Sequence, residues 1–136
     1  MKKISVAAFI TDGTQFLACH STGNSFYDLP KGLQEHGESP IEVCLRETQE
    51  ETGLILDIHE LQDLSVFPYM KDKDLHVFRW LTPQLPELEK LECTSYFKHY
   101  HSHQMLPEVD GYKYVKYEET EKYMTKSMAG VINKLL

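Results

Sequence analysis

Two short apolar runs open the chain. Residues 4–10, "ISVAAFI", and 16–20, "FLACH", have strand length, and Thr11, Asp12, Gly13 and Thr14 between them suit a hairpin turn. "STGNS" reads as a loop and "FYDLPKG" as an extended piece entering a turn. From Ser39 the apolar spacing becomes helical. Ser39 suits an N-cap, Pro40 the first helical position, Glu42 completes an S-x-x-E capping box, and Gly53 fits the left-handed residue that ends a helix. The spacing therefore predicts a helix over 39–52. Farther on, "LILDIHELQDLSVFPYM" predicts one long or two short strands and "DLHVFRWLT" another. "PQLPELEKLE" is compatible with loop or helix, and "YKYVKYEE" predicts a late strand. Residues 118–134 predict a closing amphipathic helix, with Met124, Met128, Val131, Ile132 and Leu135 at helical spacing. Strands and helices mix around one core without repeats or linkers, which predicts a single α/β domain over 1–136 with a mixed sheet.

Projected at about 100° per residue, Ile41, Cys44, Leu45, Thr48 and Thr52 gather on one side of the 39–52 helix, the predicted buried face. Glu47, Glu50 and Glu51 fall within an arc of about 100° on the opposite side, with Arg46 in reach of Glu50 or Glu42. Like charges at this spacing repel by about 0.2–0.5 kcal/mol per pair. Two readings fit: a solvated acidic face, or a ligand set for a hard, oxygen-seeking cation such as Mg²⁺ or Mn²⁺. The preceding "LPKGLQEHGES" adds Gly32, Gly37 and Glu38 in a tight loop, and Lys31 as a cation for phosphate.

Charge and cysteine usage narrow the field. A net charge of −7 argues against general affinity for nucleic acid or anionic membrane, so a phosphate-rich ligand would need cations from outside the protein. Cys19, Cys44 and Cys93 show neither disulfide nor zinc-ligand spacing, which points to a reducing, cytoplasmic setting. The N-terminal apolar run of about six residues ends at Thr11-Asp12-Gly13 and reads as a strand rather than a signal peptide. No stretch approaches the roughly 20 apolar residues of a membrane span.

Taken together, Gly32, Glu38, Arg46, Glu47, Glu50, Glu51, Gly53 and Leu54 resemble the Nudix box, G-x5-E-x7-R-E-U-x-E-E-x-G-U, with U bulky and apolar. Eight of nine defined positions match in spacing, the departure being Thr48, which the projection places on the buried face. The resemblance implies an α/β/α sandwich with a central mixed sheet, and Mg²⁺-dependent hydrolysis (Mn²⁺ as a substitute) of a nucleoside diphosphate linked to a further group. It implies that Glu47, Glu50 and Glu51 hold the cations, with the Lys31 carbonyl as a further ligand. Glu38 would support the metal site and Arg46 would orient the glutamates. In the family the general base lies in the box or on a loop ahead of the last strand, where this chain has Glu108 and Asp110; Glu108 is the choice here, as base or extra ligand.

"LPKG", "GES" and above all "RETQEETG", with threonine at position 48, are similar to the asymmetric dinucleoside tetraphosphate hydrolases. The expected substrate is therefore diadenosine tetraphosphate. RNA 5′-triphosphate ends and nucleoside triphosphates come next, ahead of ADP-ribose, nucleotide sugars and inositol pyrophosphates. A catalytically silent nucleotide sensor is the non-enzymatic alternative, but such modules usually lose box carboxylates and every one is present here. Phe26, Tyr27, Tyr69, Tyr96 and Tyr100 are candidates for base stacking, of which Tyr27 and Tyr69 join Lys31 as the expected substrate-binding set. Lys71, Lys73 and Lys98 are further cations for phosphate. His99, His101 and His103 alternate and suit phosphate contact better than a zinc centre. No obligate protein partner is expected.

Overall fold

The computed structural model describes residues 2–136. Strands β1 (Lys3–Thr11) and β2 (Gln15–Ser21) form the expected hairpin, with Thr11 opposite Phe16. The edge of β2 away from the hairpin end carries β3 (Tyr27–Asp28), while Ser5, Val6 and Ala7 of β1 pair antiparallel with β4 (Lys31–Leu33). After helix α1 (Pro40–Thr52), β5 (Leu61–Met70) and β6 (Lys73–Leu81) form an antiparallel pair, and β6 runs parallel to β1 along its whole length. A small hairpin of β7 (Tyr96–Lys98) and β8 (Met105–Pro107) precedes β9 (Val109–Lys116), which pairs antiparallel with β2. Two short helices, α2 (Thr120–Tyr123) and α3 (Lys126–Leu135), end the chain. One parallel pair among antiparallel ones makes the sheet mixed, as expected.

Alternate residues of β1 feed two cores. Val6, Ala8 and Ile10 pack with Leu17 and Phe78 against Val43 and Cys44 of α1. Ala7 and Phe9 pack with Phe16, Ala18 and Val77 against Met128, Val131 and Ile132 of α3. A strand covered on both faces has no polar alternation, which is why residues 6–10 read as a continuous apolar run. The result is an α/β/α sandwich.

α1 has the predicted boundaries. The Glu42 N–H donates to the Ser39 hydroxyl at 3.4 Å, the Ser39 N–H donates to the Glu42 carboxylate at 3.0 Å, and Gly53 sits at φ 80° with its N–H on the Gln49 carbonyl at 2.9 Å. Elsewhere the structure corrects the expectation. The closing helix is two helices, because Met124 is extended and bridges to Tyr27 while the Thr125 hydroxyl accepts the Met128 N–H at 3.2 Å and caps a new start. The strand expected from residue 54 begins only at Leu61, since the Asp57 carboxylate accepts the His59 N–H at 2.9 Å and turns residues 58–60 into one 3₁₀ turn. "PQLPELEKLE" is irregular apart from a 3₁₀ turn at Leu88–Lys90. The β7–β8 hairpin was not expected.

Candidate active site

Arg46 organises the acidic face of α1. Its Nε and Nη2 donate to the two oxygens of Glu38 at 2.7 and 2.9 Å, while Nη1 donates to Glu47 at 2.9 Å and Glu50 at 3.4 Å. The fork onto Glu38 is the bidentate geometry that makes Arg–carboxylate pairs strong, and it holds the Glu38 carboxyl below its ordinary pKa and the guanidinium above its own. The alternative pairing of Arg46 with Glu42 does not form, because Glu42 is committed to the helix cap. Gly37, at φ 86°, turns the loop so that Glu38 reaches Arg46. Gly32 permits a second close approach: a Cβ built there would overlap the Glu47 carboxylate.

Glu51 departs most from expectation. The helical projection places it on an open face, yet it is 6% exposed, because β4 and the segment carrying Glu108 roof that end of the helix. Burial, reinforced by the negative charge of Glu47 and then Glu108, pushes its pKa up to about 9, against the pull of Lys31 and the Lys31 N–H. Glu47 is also raised, by burial first and then by Glu50 and Glu108 against Arg46. A polar cleft of about 100 Å³ lies here, lined by Ser21, Asp28, Lys31, Glu51 and Glu108 among others. A wider, shallow depression of about 540 Å³ runs past Lys2, Ile4, Leu33 and Glu38 but contains none of the α1 glutamates.

Lys31 does not swing freely. Its Nζ lies 3.2 Å from Asp28 Oδ2, and Tyr69 stands close enough to both for its hydroxyl pKa to be raised, by burial and by Asp28. Asp28 itself is raised by burial, opposed by Lys31. Sequence reasoning missed Asp28, whose signal was its place three residues before Lys31 in the extended piece. It also missed the clamp on the helix end. The carbonyls of Glu50, Glu51 and Thr52, without partners inside the helix, accept from the Thr94 N–H at 2.7 Å, the Tyr112 hydroxyl at 2.6 Å and the Glu92 N–H at 3.0 Å.

Other candidates lie apart. Tyr27 points to the opposite face of the sheet from Asp28, packing on the α3 side against His20 and Tyr123 at ring separations of 5.0 and 5.9 Å. Asp110 is taken by His20 Nδ1 at 2.5 Å. Tyr96, Lys98, Tyr100 and the three histidines ride on the β7–β8 hairpin. Phe26 is half-buried, and Lys71 and Lys73 sit at the β5–β6 turn.

The donor set suits a hard divalent cation: the charged groups at the cleft are the carboxylates of Asp28, Glu51 and Glu108 and the Lys31 ammonium, and Glu47, Glu51 and Glu108 crowd like charge where burial makes it costly. As the side chains stand, no three His, Cys, Asp or Glu of the described residues already form a ligand cluster. Glu47 is turned onto Arg46, so an ion would draw it away from that bond.

Residues 1–135 match the family model of the NUDIX domain. An uncharacterized 17.7 kDa protein in the e-segB intergenic region of Enterobacteria phage T4 is 32% identical over 112 residues, covering 80% of this chain and 74% of that protein. Among solved structures, a bifunctional NMN adenylyltransferase/ADP ribose pyrophosphatase from Francisella tularensis, complexed with AMP and Mn ion, superposes with TM-score 0.74 at 18% identity. It matches 99% of this chain, which spans only 41% of that longer one. A C. elegans Ap4A hydrolase superposes with TM-score 0.63 at 17% identity, over 98% of this chain and 94% of that one. At such identities the superpositions speak to the fold, whereas the family model runs almost the full length of the sequence. With that match, the chain belongs to the Nudix hydrolases and is a pyrophosphohydrolase.

Proposed function

We propose that this enzyme uses Mg²⁺ to hydrolyse a diphosphate bond in a dinucleoside polyphosphate, diadenosine tetraphosphate being the leading substrate. The observation that carries the metal-dependent reading is Glu51, a carboxylate buried between Glu47 and Glu108 whose charge only a cation would make affordable. The substrate class rests on the likeness of "RETQEETG", with its Thr48, to the asymmetric dinucleoside tetraphosphate hydrolases.

Glu47, Glu50 and Glu51 hold the cation, with the Lys31 carbonyl as a further ligand. When bound, the cation would supply neutralisation of the phosphate oxygens and would lower the pKa of the attacking water. Arg46, fixed by its fork onto Glu38, holds Glu47 and Glu50 together beside the cleft until a cation draws Glu47 in. Glu108, which lines the cleft together with Glu51, accepts the water's proton. Lys31, steadied by Asp28 and beside Tyr69, meets the phosphate that is not attacked. The free thiols of Cys19, Cys44 and Cys93 favour a reducing compartment, the cytoplasm.

The test is a product analysis with Mg²⁺ on diadenosine tetraphosphate, ADP-ribose, a nucleoside triphosphate and a 5′-triphosphorylated RNA. ATP plus AMP from the first, formed well ahead of the other products, is the expected result. Preference for the RNA would move the function to transcript 5′ ends with the same metal chemistry. Inactivity on all four, with Mg²⁺ and with Mn²⁺, would favour a nucleotide sensor.

A further inference from the structure

A cleft of about 100 Å³ has room for an ion and phosphate groups but not for a nucleoside, since sites for whole ligands run to about 300–1,000 Å³. The bases of a nucleotide substrate must therefore rest outside it. Among the described residues only two aromatic side chains are exposed, Tyr96 at 54% and Tyr100 at 84%, and both lie on the β7–β8 hairpin. The same hairpin carries Lys98, His99, His101 and His103, and from Cys93 to Pro107 it contains no Asp or Glu, in a chain with 21 acidic residues and a net charge of −7.

Its position matches its composition. The strand entering the hairpin is tied to the carbonyl of Glu50 through Thr94, and the strand leaving it runs directly into Glu108 on the cleft wall. Its base is closed by the Glu108 N–H on the Ser95 carbonyl at 2.9 Å. Its two strands pack mainly on each other, with Tyr96 and Lys98 sharing one face with Met105, all three exposed. At the tip, His99 and His101 lie 5.9 Å apart between ring centres, and Tyr100 meets His101 edge-on at 5.1 Å. An exposed π surface beside imidazoles and an ammonium, free of acid, is the chemistry that holds a base and its phosphates.

We infer that the β7–β8 hairpin is the nucleoside-binding arm of the enzyme. Tyr100 and Tyr96 stack a base of the substrate, and Lys98 with the tip histidines meets the phosphates that extend beyond the metal cleft. This assignment rests on the proposed nucleotide hydrolase reading and adds to it the place where the second half of the substrate lies. Of the two aromatics expected from the sequence to bind substrate, Tyr27 takes no part, being packed on the other face of the sheet, while Tyr69 stands beside Lys31.

The experiment compares the parent protein with Tyr100→Ala, Lys98→Ala and Tyr100→Phe. Each is assayed on whichever compound of the four-member panel the parent turns over best, and each is titrated calorimetrically with a methylene-bridged, non-hydrolysable dinucleoside tetraphosphate. The expected result is a KM and an analogue Kd raised about tenfold in both alanine variants, within the range for loss of one base–aromatic stack or one phosphate contact. The kcat stays within twofold, the melting temperature is unchanged, and Tyr100→Phe behaves as the parent does. Alanine variants with KM and Kd within twofold of the parent overturn the arm while leaving the hydrolase reading intact. A parent that neither hydrolyses the panel nor binds the analogue overturns both.

Discussion

Replacing Glu51 by glutamine should stabilise the metal-free protein while abolishing its activity. Burial and the neighbouring Glu47 and Glu108 raise the folded-state pKa of Glu51 from 4.5 to about 9. A carboxyl group raised in this way gives its full contribution to stability below pH 4.5 and loses it progressively as the pH rises toward 9. At pH 7 the folded protein sits about 2.5 pH units above the ordinary value, and at about 1.4 kcal/mol per unit the penalty is about 3 kcal/mol. Glutamine has the same shape, keeps an oxygen to accept the Lys31 N–H, and carries no charge to bury. In EDTA at pH 7, Glu51→Gln should therefore melt roughly 10 °C above the parent. The gap should shrink to about a quarter of this at pH 5 and widen by pH 8. Mg²⁺ should narrow it again by stabilising the parent far more than the variant. Turnover should fall by at least a hundredfold, as expected for loss of a metal ligand. A variant less stable than the parent, or a gap that does not change between pH 5 and pH 8, would refute the argument that Glu51 is a buried charge awaiting a cation.

Three further substitutions test other parts of the site. Gly32→Ala should displace the Glu47 carboxylate and reduce kcat/KM by about a hundredfold with an unchanged circular dichroism spectrum, since P–O bond cleavage depends on ligand placement. Near-normal activity would show that Glu47 has room elsewhere. Thr48 is fully buried and its hydroxyl has no hydrogen-bond partner beyond a weak interaction with the Cys44 thiol, so Thr48→Val should raise stability by about 1 kcal/mol in urea melts and leave kcat unaltered. Tyr112→Phe removes the donor to the Glu51 carbonyl and should cost about 1 kcal/mol of stability together with a loss of kcat. A loss of stability alone would mean that the clamp does not position the glutamates.

The parts of this protein legible in its sequence are those whose causes are local. Ser39, Pro40, Glu42 and Gly53 announce α1 because each acts on the backbone within a turn of itself. The charges of Glu47, Glu50 and Glu51 follow from helical period alone. The burial of Glu51 was illegible because its roof comes from β4, about twenty residues upstream, and from Glu108, beyond β5 and β6 at the entry to the last strand. The β7–β8 hairpin escaped notice because each strand is three residues long, too short for any period, and each pairs only with the other. Thr125 was read as one more residue of an amphipathic helix, although a threonine hydroxyl competes for backbone N–H groups and here starts a second helix instead. Tyr27 illustrates the limit from the other side: in a two-residue strand, its face depends wholly on the pairing of Cys19 with Asp28 and His20 with Tyr27.

The hydrogen bond between Glu108 and Ser95 brings the two ends of residues 95–108 together at the foot of the hairpin. Everything above that bond forms a closed loop hung from a fixed point, and the entropy of closing such a loop changes only slowly with its length. Residues can therefore be added or removed at the tip without moving Glu108 on one side or the Thr94 anchor on the other. For the proposed nucleoside-binding arm, reach and base preference would then be adjustable independently of the proposed metal site, and one hydrolytic centre would serve substrates of different span through changes confined to a single exchangeable segment.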